Sequence, residues 1–176
     1  MRKLKNSELN RLSNEDFITS NKTPITIVLD NVRSLHNVGS VFRTSDAFCL
    51  EAVYLCGITA CPPHREIQKT ALGATDTVKW EYAKTTLEAV EKLKASHQIV
   101  AVEQIDSSVS LEEFEITEKP IALIFGNEVK GVDDAVLPLC DAAIEIPQFG
   151  TKHSLNISVS VGVVVWDLFS KINFKK

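Results

Sequence analysis

Short apolar, β-branched runs punctuate this chain, and between them apolar positions recur every three or four residues. The runs at 25–29, 52–56, 78–82, 99–102, 121–125 and 143–146 read as strands. The run at 25–29 is almost continuously hydrophobic and reads as a buried strand. The segments at 38–48, 65–72 and 86–96 read as helices. The last of these is the clearest, with Leu87, Val90 and Leu93 on one face and Glu88 and Lys92 paired at i,i+4. A helical turn is expected near 133–139. Strands alternating with helices imply βαβ units and a mainly parallel α/β sheet.

The C-terminal stretch 155–172 is rich in valine, which favours strand locally. It is too long for one strand and is assigned as a helix with Asn156 and Ser158 in its first turn. Ile157, Val161, Val164, Val165, Leu168 and Phe169 fall on several of its faces, so it must be buried on more than one side, against the sheet and against a second subunit. Residues 1–22 are polar, with Leu4, Leu9, Leu12 and Phe17 loosely at helical spacing, and read as a partly helical arm. The acidic stretch 112–118 reads as a solvated face or a linker.

With 176 residues, 44% hydrophobic and 24% charged, the chain is long enough for one domain with a substantial core. Its net charge of −4 argues mildly against a polyanionic partner, although local basic patches can override the total. No membrane span is expected: the most apolar stretch, 154–166, falls short of the roughly 20 residues a span needs. The basic N-terminus lacks the apolar segment of a secretory signal, so a cytoplasmic location is expected. The four cysteines show no paired C-x-x-C spacing. Cys56, Cys61 and His64 lack a fourth metal ligand, so no metal is expected, and Cys49 and Cys56 read as small core residues.

Three polar clusters sit where strands should end: Asn37, Gly39 and Arg43; Gly126, Asn127 and Glu128; Ser154, Leu155 and Asn156. Ligands of open α/β sheets bind beyond the carboxyl ends of strands, so the three form one candidate site. Several chemistries are excluded. "GNEVKG" lacks the Lys-Ser/Thr of a P-loop, and "HNVGSVF" lacks the dinucleotide-binding glycine spacing. No nucleophile elbow or zinc-deaminase pattern is present. Each residue also has an ordinary use. Arg43 can pair with Asp46 at i+3, Asn37 and Ser154 can cap helices, Gly126 and Asn127 can serve a turn, and Glu128 can be solvated.

Taken in order, "HNVGSVFR", "IALIFGNEVKGV" and "IEIPQFGTKHSLNISVSVG" resemble the three motifs of the SpoU/TrmH family of RNA ribose 2′-O-methyltransferases, within the SPOUT superfamily. The resemblance runs from about residue 24 to 168, and "KTALGATDTVKWEY" is similar to members acting on tRNA. It implies residues 1–23 as an arm and 24–176 as the methyltransferase domain, folded as a parallel α/β sheet with a C-terminal trefoil knot. It further implies S-adenosyl-L-methionine as cofactor, held around Val102, Gly126, Asn127, Ile146 and Leu155, and a homodimer. Arg43 would serve the methyl transfer with Asn37, Glu128, Ser154 and Asn156. Because a guanidinium keeps its proton above pH ~12, Arg43 is better suited to clamping a phosphate and stabilising an alkoxide than to acting as a base. Arg33, Lys130 and Lys152 lie near the motifs as candidate phosphate contacts.

Nothing in the sequence resembles the separate N-terminal RNA-binding domain of ribosomal-RNA members, so the arm and Lys171, Lys175 and Lys176 are the expected RNA contacts. That favours tRNA, with a D-loop guanosine as target. The alternatives are a ribosomal-RNA or anticodon-loop methyltransferase of the same fold, a non-catalytic RNA-binding protein, and a small-molecule methyltransferase.

Overall fold

The computed structural model describes residues 1–174; Lys175 and Lys176, two of the expected RNA contacts, lie outside the described residues. A seven-stranded sheet runs through the molecule. Its strands are β1 (Thr23–Asp30), β2 (Leu50–Cys56), β3 (Trp80–Ala83), β4 (Gln98–Val102), β5 (Val109–Ser110), β6 (Ile121–Phe125) and β7 (Ala142–Glu145). They lie in the order β3-β2-β1-β6-β4-β7-β5, and every pairing is parallel. The helices are α1 (Asn14–Thr19), α2 (Leu35–Ala47), α3 (Arg65–Ala71), α4 (Thr86–Leu93) and α5 (Ile157–Asn173). No helix among the described residues is long and apolar enough to cross a membrane.

The continuous apolar runs have a direct explanation. Alternate residues of a strand point to opposite faces, and here both faces are covered. Ile25, Ile27 and Leu29 join Val38, Val41 and Phe42 of α2 and Val161, Val164 and Leu168 of α5 in one core. On the other face Val28, Ile99, Ala122 and Ile124 pack with Val90 and Leu93 of α4. Register then aligns the strand ends. Leu29 is level with Phe125, Phe125 with Val102, and Val102 with Ile144. Four strands thus stop along one line, and the segments after them emerge together.

The arm is helical in part: a 3-10 turn at Asn6–Glu8 precedes α1, Leu4, Leu9 and Leu12 are exposed, and Phe17 alone of the four enters the core. The expected turn near 133–139 is a 3-10 segment, Leu137–Leu139. The two-residue strand β5 is too short to leave a hydrophobic pattern. The acidic stretch 112–118 keeps Glu112, Glu113, Glu115 and Glu118 exposed as a solvated face, while Phe114 is buried.

Lys171 is not an RNA contact. It is 7% exposed, its Nζ donates to the carbonyls of Leu111 and Phe114 at 2.6 and 3.0 Å, and it pairs with Asp167 at 2.7 Å. A buried ammonium needs such partners, and these tie the segment after β5 to α5.

Candidate active site

The segments that emerge at the aligned strand ends are held together by polar side chains. Glu128, in the loop after β6, reaches across to the start of α2. Its two carboxylate oxygens accept the main-chain N–H groups of Arg33 and Ser34, each at 3.0 Å, and the Asn37 side-chain amide at 3.3 Å. The N–H groups at a helix start have no intrahelical acceptor, so a carboxylate is well placed there. Partial desolvation pushes the Glu128 carboxyl up, but the Arg33, Ser34 and Asn37 donors together with its own N–H outweigh it and hold it below the usual carboxylate range.

Asn37 passes the chain of bonds on. Glu128 can only accept, so the Asn37 Nδ2 must face it, and the Asn37 Oδ1 then accepts from Asn156 Nδ2 at 3.3 Å. That in turn points the Asn156 Oδ1 at α5, where it accepts the Ser158 N–H at 2.9 Å and caps the helix. Glu128, Asn37 and Asn156, one from each cluster, therefore form a single directed relay. Asn127 adds a second tie, donating to the Asn31 carbonyl at 2.7 Å.

Two assignments of capping residues are corrected. Ser34 caps α2, with Asn37 inside the first turn, and Asn156 rather than Ser154 caps α5. The Arg43–Asp46 ion pair does not form, because Asp46 accepts from the Thr77 hydroxyl instead.

Beneath the relay lies a pocket of about 670 Å³ at the ends of β4, β6 and β7. Val102, Gly126, Asn127, Glu128, Lys130, Ile146, Ser154, Leu155 and Asn156, all expected at the site, line it. Asn37 touches this wall through Glu128 and Asn156. Arg33, Arg43 and Lys152 do not line the pocket; their side chains are exposed. Arg43, on the outer face of α2, has no hydrogen-bond or ion-pair partner among the described residues.

Gly39 belongs to packing rather than to the site. A Cβ there would fall 2.1 Å from the Thr70 hydroxyl and 2.3 Å from the Ile67 carbonyl, so glycine is what lets α2 and α3 meet. Gly126 performs a similar task inside the site: a Cβ would fall 2.0 Å from the Gly131 backbone, where the loop folds back on itself.

Sequence reading missed two acids. Asp30, at the end of β1, is 1% exposed; it accepts from Thr86 and from the Asp133 N–H at 2.8 Å. Glu103, just past β4, accepts the Val132 N–H at 3.0 Å and lines the pocket. The signal was available, since each is an acid at the end of an apolar strand.

The pocket suits a nucleoside-sized ligand held by main-chain groups. Neither the Ile146 nor the Leu155 N–H has a hydrogen-bond partner among the described residues, and both residues line it. Comparison with known proteins agrees with the topology. The chain is 30% identical over 156 residues to the 23S rRNA (guanosine-2'-O-)-methyltransferase RlmB of Nitrosomonas europaea, covering 88% of this chain and 60% of that protein. It is 29% identical over 159 residues to the tRNA (guanosine(18)-2'-O)-methyltransferase of Aquifex aeolicus, covering 86% and 72%. This chain thus spans only about three fifths of the length of the first relative.

Among solved structures, the A. aeolicus TrmH/SpoU tRNA modifying enzyme superposes with a TM-score of 0.79 at 26% identity, covering 90% of this chain and 80% of that one. An AdoMet-bound rRNA methyltransferase from Sinorhizobium meliloti gives 0.80 at 26% identity, covering 94% and 62%. The parallel α/β sheet is therefore the fold of SPOUT methyltransferases. The model of the SpoU rRNA Methylase family matches residues 24–166, which takes in all three clusters of the relay, and the chain belongs to that family.

Proposed function

We propose that this protein is an S-adenosylmethionine-dependent RNA methyltransferase that methylates a ribose 2′-hydroxyl. The observation that carries the reading is the relay from Glu128 through Asn37 to Asn156, built over a pocket at the ends of three parallel strands. The pocket volume and the free N–H groups of Ile146 and Leu155 fit the cofactor, with Val102, Gly126 and Asn127 completing the wall. When bound, S-adenosylmethionine supplies a methyl group already activated on a sulfonium.

The protein's own residues must align the hydroxyl and favour loss of its proton. Ser154 and Asn156, exposed at the pocket mouth, would hydrogen-bond the ribose. Glu128 and Asn37 would hold Asn156 in place. Arg43, exposed and without a hydrogen-bond or ion-pair partner among the described residues, is free to clamp an RNA phosphate. Arg33, Lys130 and Lys152 are further candidate phosphate contacts around the mouth, and binding through them would weaken with salt.

The finer reading is a tRNA substrate with a D-loop guanosine as target. Support comes from the Aquifex relative that acts on guanosine 18 of tRNA and from the segment "KTALGATDTVKWEY". Relatives acting on ribosomal RNA keep that alternative in the test. The reading includes a trefoil knot. The chain leaving β7, at the far side of β4, returns to α2, where Asn156 meets Asn37, and this crossing beside the back-folded 126–132 loop supports the reading. It also includes residues 1–23 as an RNA-contacting arm and a homodimer through the exposed stripe Val159, Val163 and Trp166 of α5.

The test is incubation of unmodified tRNA and ribosomal-RNA transcripts with methyl-labelled S-adenosylmethionine, followed by nucleoside mass spectrometry. A labelled 2′-O-methylguanosine mapped to the D-loop is the expected result. Label in ribosomal RNA alone would move the substrate, and cofactor binding without label in any RNA would point to a binding protein.

A further inference from the structure

Glu103 stands at the carboxyl end of β4, and its carboxylate lies against Gly131 and Val132, which line the same pocket. Oε2 accepts the Val132 N–H and Oε1 the Gln104 N–H, each at 3.0 Å. Gly131 has φ +71, and a Cβ there would fall 2.3 Å from Glu103 Oε2. The glycine thus leaves room for the carboxylate, which is braced by two main-chain donors. Each of its oxygens has accepted one hydrogen bond and has capacity for another.

The other acid of this pocket to engage main-chain donors from another element is Glu128, and its oxygens are given over to the start of α2. Val102, Val132, Leu137 and Ile144 give the pocket wall an apolar strip, with Gln104, Asp134 and Glu145 lining it as polar neighbours. An apolar strip of this kind accepts a purine, and a braced carboxylate at its edge meets the sugar that the purine carries.

We infer that Glu103 recognises the ribose of the cofactor's adenosine, its two oxygens accepting hydrogen bonds from the 2′- and 3′-hydroxyls, with Gly131 conserving the space it needs. A carboxylate that accepts vicinal hydroxyls is the same solution that open α/β sheets use for dinucleotides at a strand end. The inference rests on the proposed use of this pocket for S-adenosylmethionine. It goes further by naming the group that distinguishes a ribonucleoside cofactor from a deoxynucleoside.

Calorimetric titration of the whole chain with S-adenosylhomocysteine and with its 2′-deoxyadenosyl counterpart tests it. The wild type should prefer the ribo form by about 10-fold to 100-fold, the range of a hydrogen bond to a charged group. In Glu103→Gln, which keeps an acceptor for the Val132 N–H, the preference should shrink to within about threefold. Glu103→Ala should shrink it likewise, with thermal unfolding used to verify that both variants fold. Equal weakening of both ligands with the preference intact would mean that Glu103 only braces the loop, and would overturn the inference. So would a wild type that binds both ligands equally. A wild type that binds neither would remove the inference together with the cofactor assignment on which it rests.

Discussion

At the scale of single residues, the relay makes Asn37 the most informative position. It is 8% exposed and touches both Glu128 and Asn156. Asn37→Ala removes one donor and one acceptor while leaving the partners able to reach water, so the stability loss should be about 1 kcal/mol. Methyl transfer should fall more than tenfold under single-turnover conditions, because Asn156 loses its orientation. An unchanged single-turnover rate would disprove that role for the relay. Glu128 makes a second prediction, in pH. Its carboxyl lies below the usual range in the folded protein. A depressed acid adds stability that is complete above its unfolded value, about 4.3, and is lost as pH falls through the lower folded value. Glu128→Gln should therefore be less stable than wild type at neutral pH, and the gap should close below about pH 4 in urea melts recorded across that range. Burial pushes the Cys56 thiol up to about 12, which agrees with its reading as a small core residue.

At the scale of elements, two helical glycines separate packing from propensity. Alanine in place of glycine within a helix gains about 0.5–1 kcal/mol where nothing is touched. Gly162, on α5, has nothing within 4 Å of a built Cβ, so Gly162→Ala should stabilise the isolated chain by about that amount. Gly39 meets the Ile67 carbonyl, a backbone atom that cannot rotate away. The overpacking cost of about 1–3 kcal/mol exceeds the helical gain, so Gly39→Ala should destabilise. Thermal melts of the two variants should shift in opposite directions. The helix assignments themselves came through because their apolar spacing was strong. The caps did not, because Ser34 and Asn37, or Ser154 and Asn156, are equally plausible cap types at neighbouring positions, and only backbone geometry chooses between them.

At the scale of the whole molecule, α5 decides the assembly. Trp166 is 54% exposed and Val159 50%, on the side of the helix away from the core residues Val161, Val164 and Leu168. An apolar stripe of this kind beside a site marks an interaction surface. In the proposed homodimer, Trp166→Glu would place an unpaired charge in the contact. It should convert a dimer to a monomer in sedimentation equilibrium at micromolar concentration, with the far-ultraviolet dichroism unchanged. A wild-type chain that sediments as a monomer would remove the dimer from the proposal.

The sequence alone determined the alternation of strands and helices, the parallel sheet, and the grouping of three polar clusters at strand ends, because periodicity and strand-end chemistry are local. It also named nine of the residues that line the pocket. The tertiary structure decided what depends on residues far apart in the chain. Asn37 and Glu128 are 91 positions apart and Asn37 and Asn156 are 119, so no local pattern could order them into a relay. It also turned Lys171 inward and moved Gly39 from chemistry to helix packing. It left Arg43 on an open face and brought Glu103 to the pocket wall. Whether a lysine is solvated or a glycine crowded depends on what packs over it, and that is set by the register of the sheet and the crossing of α2, α3 and α5.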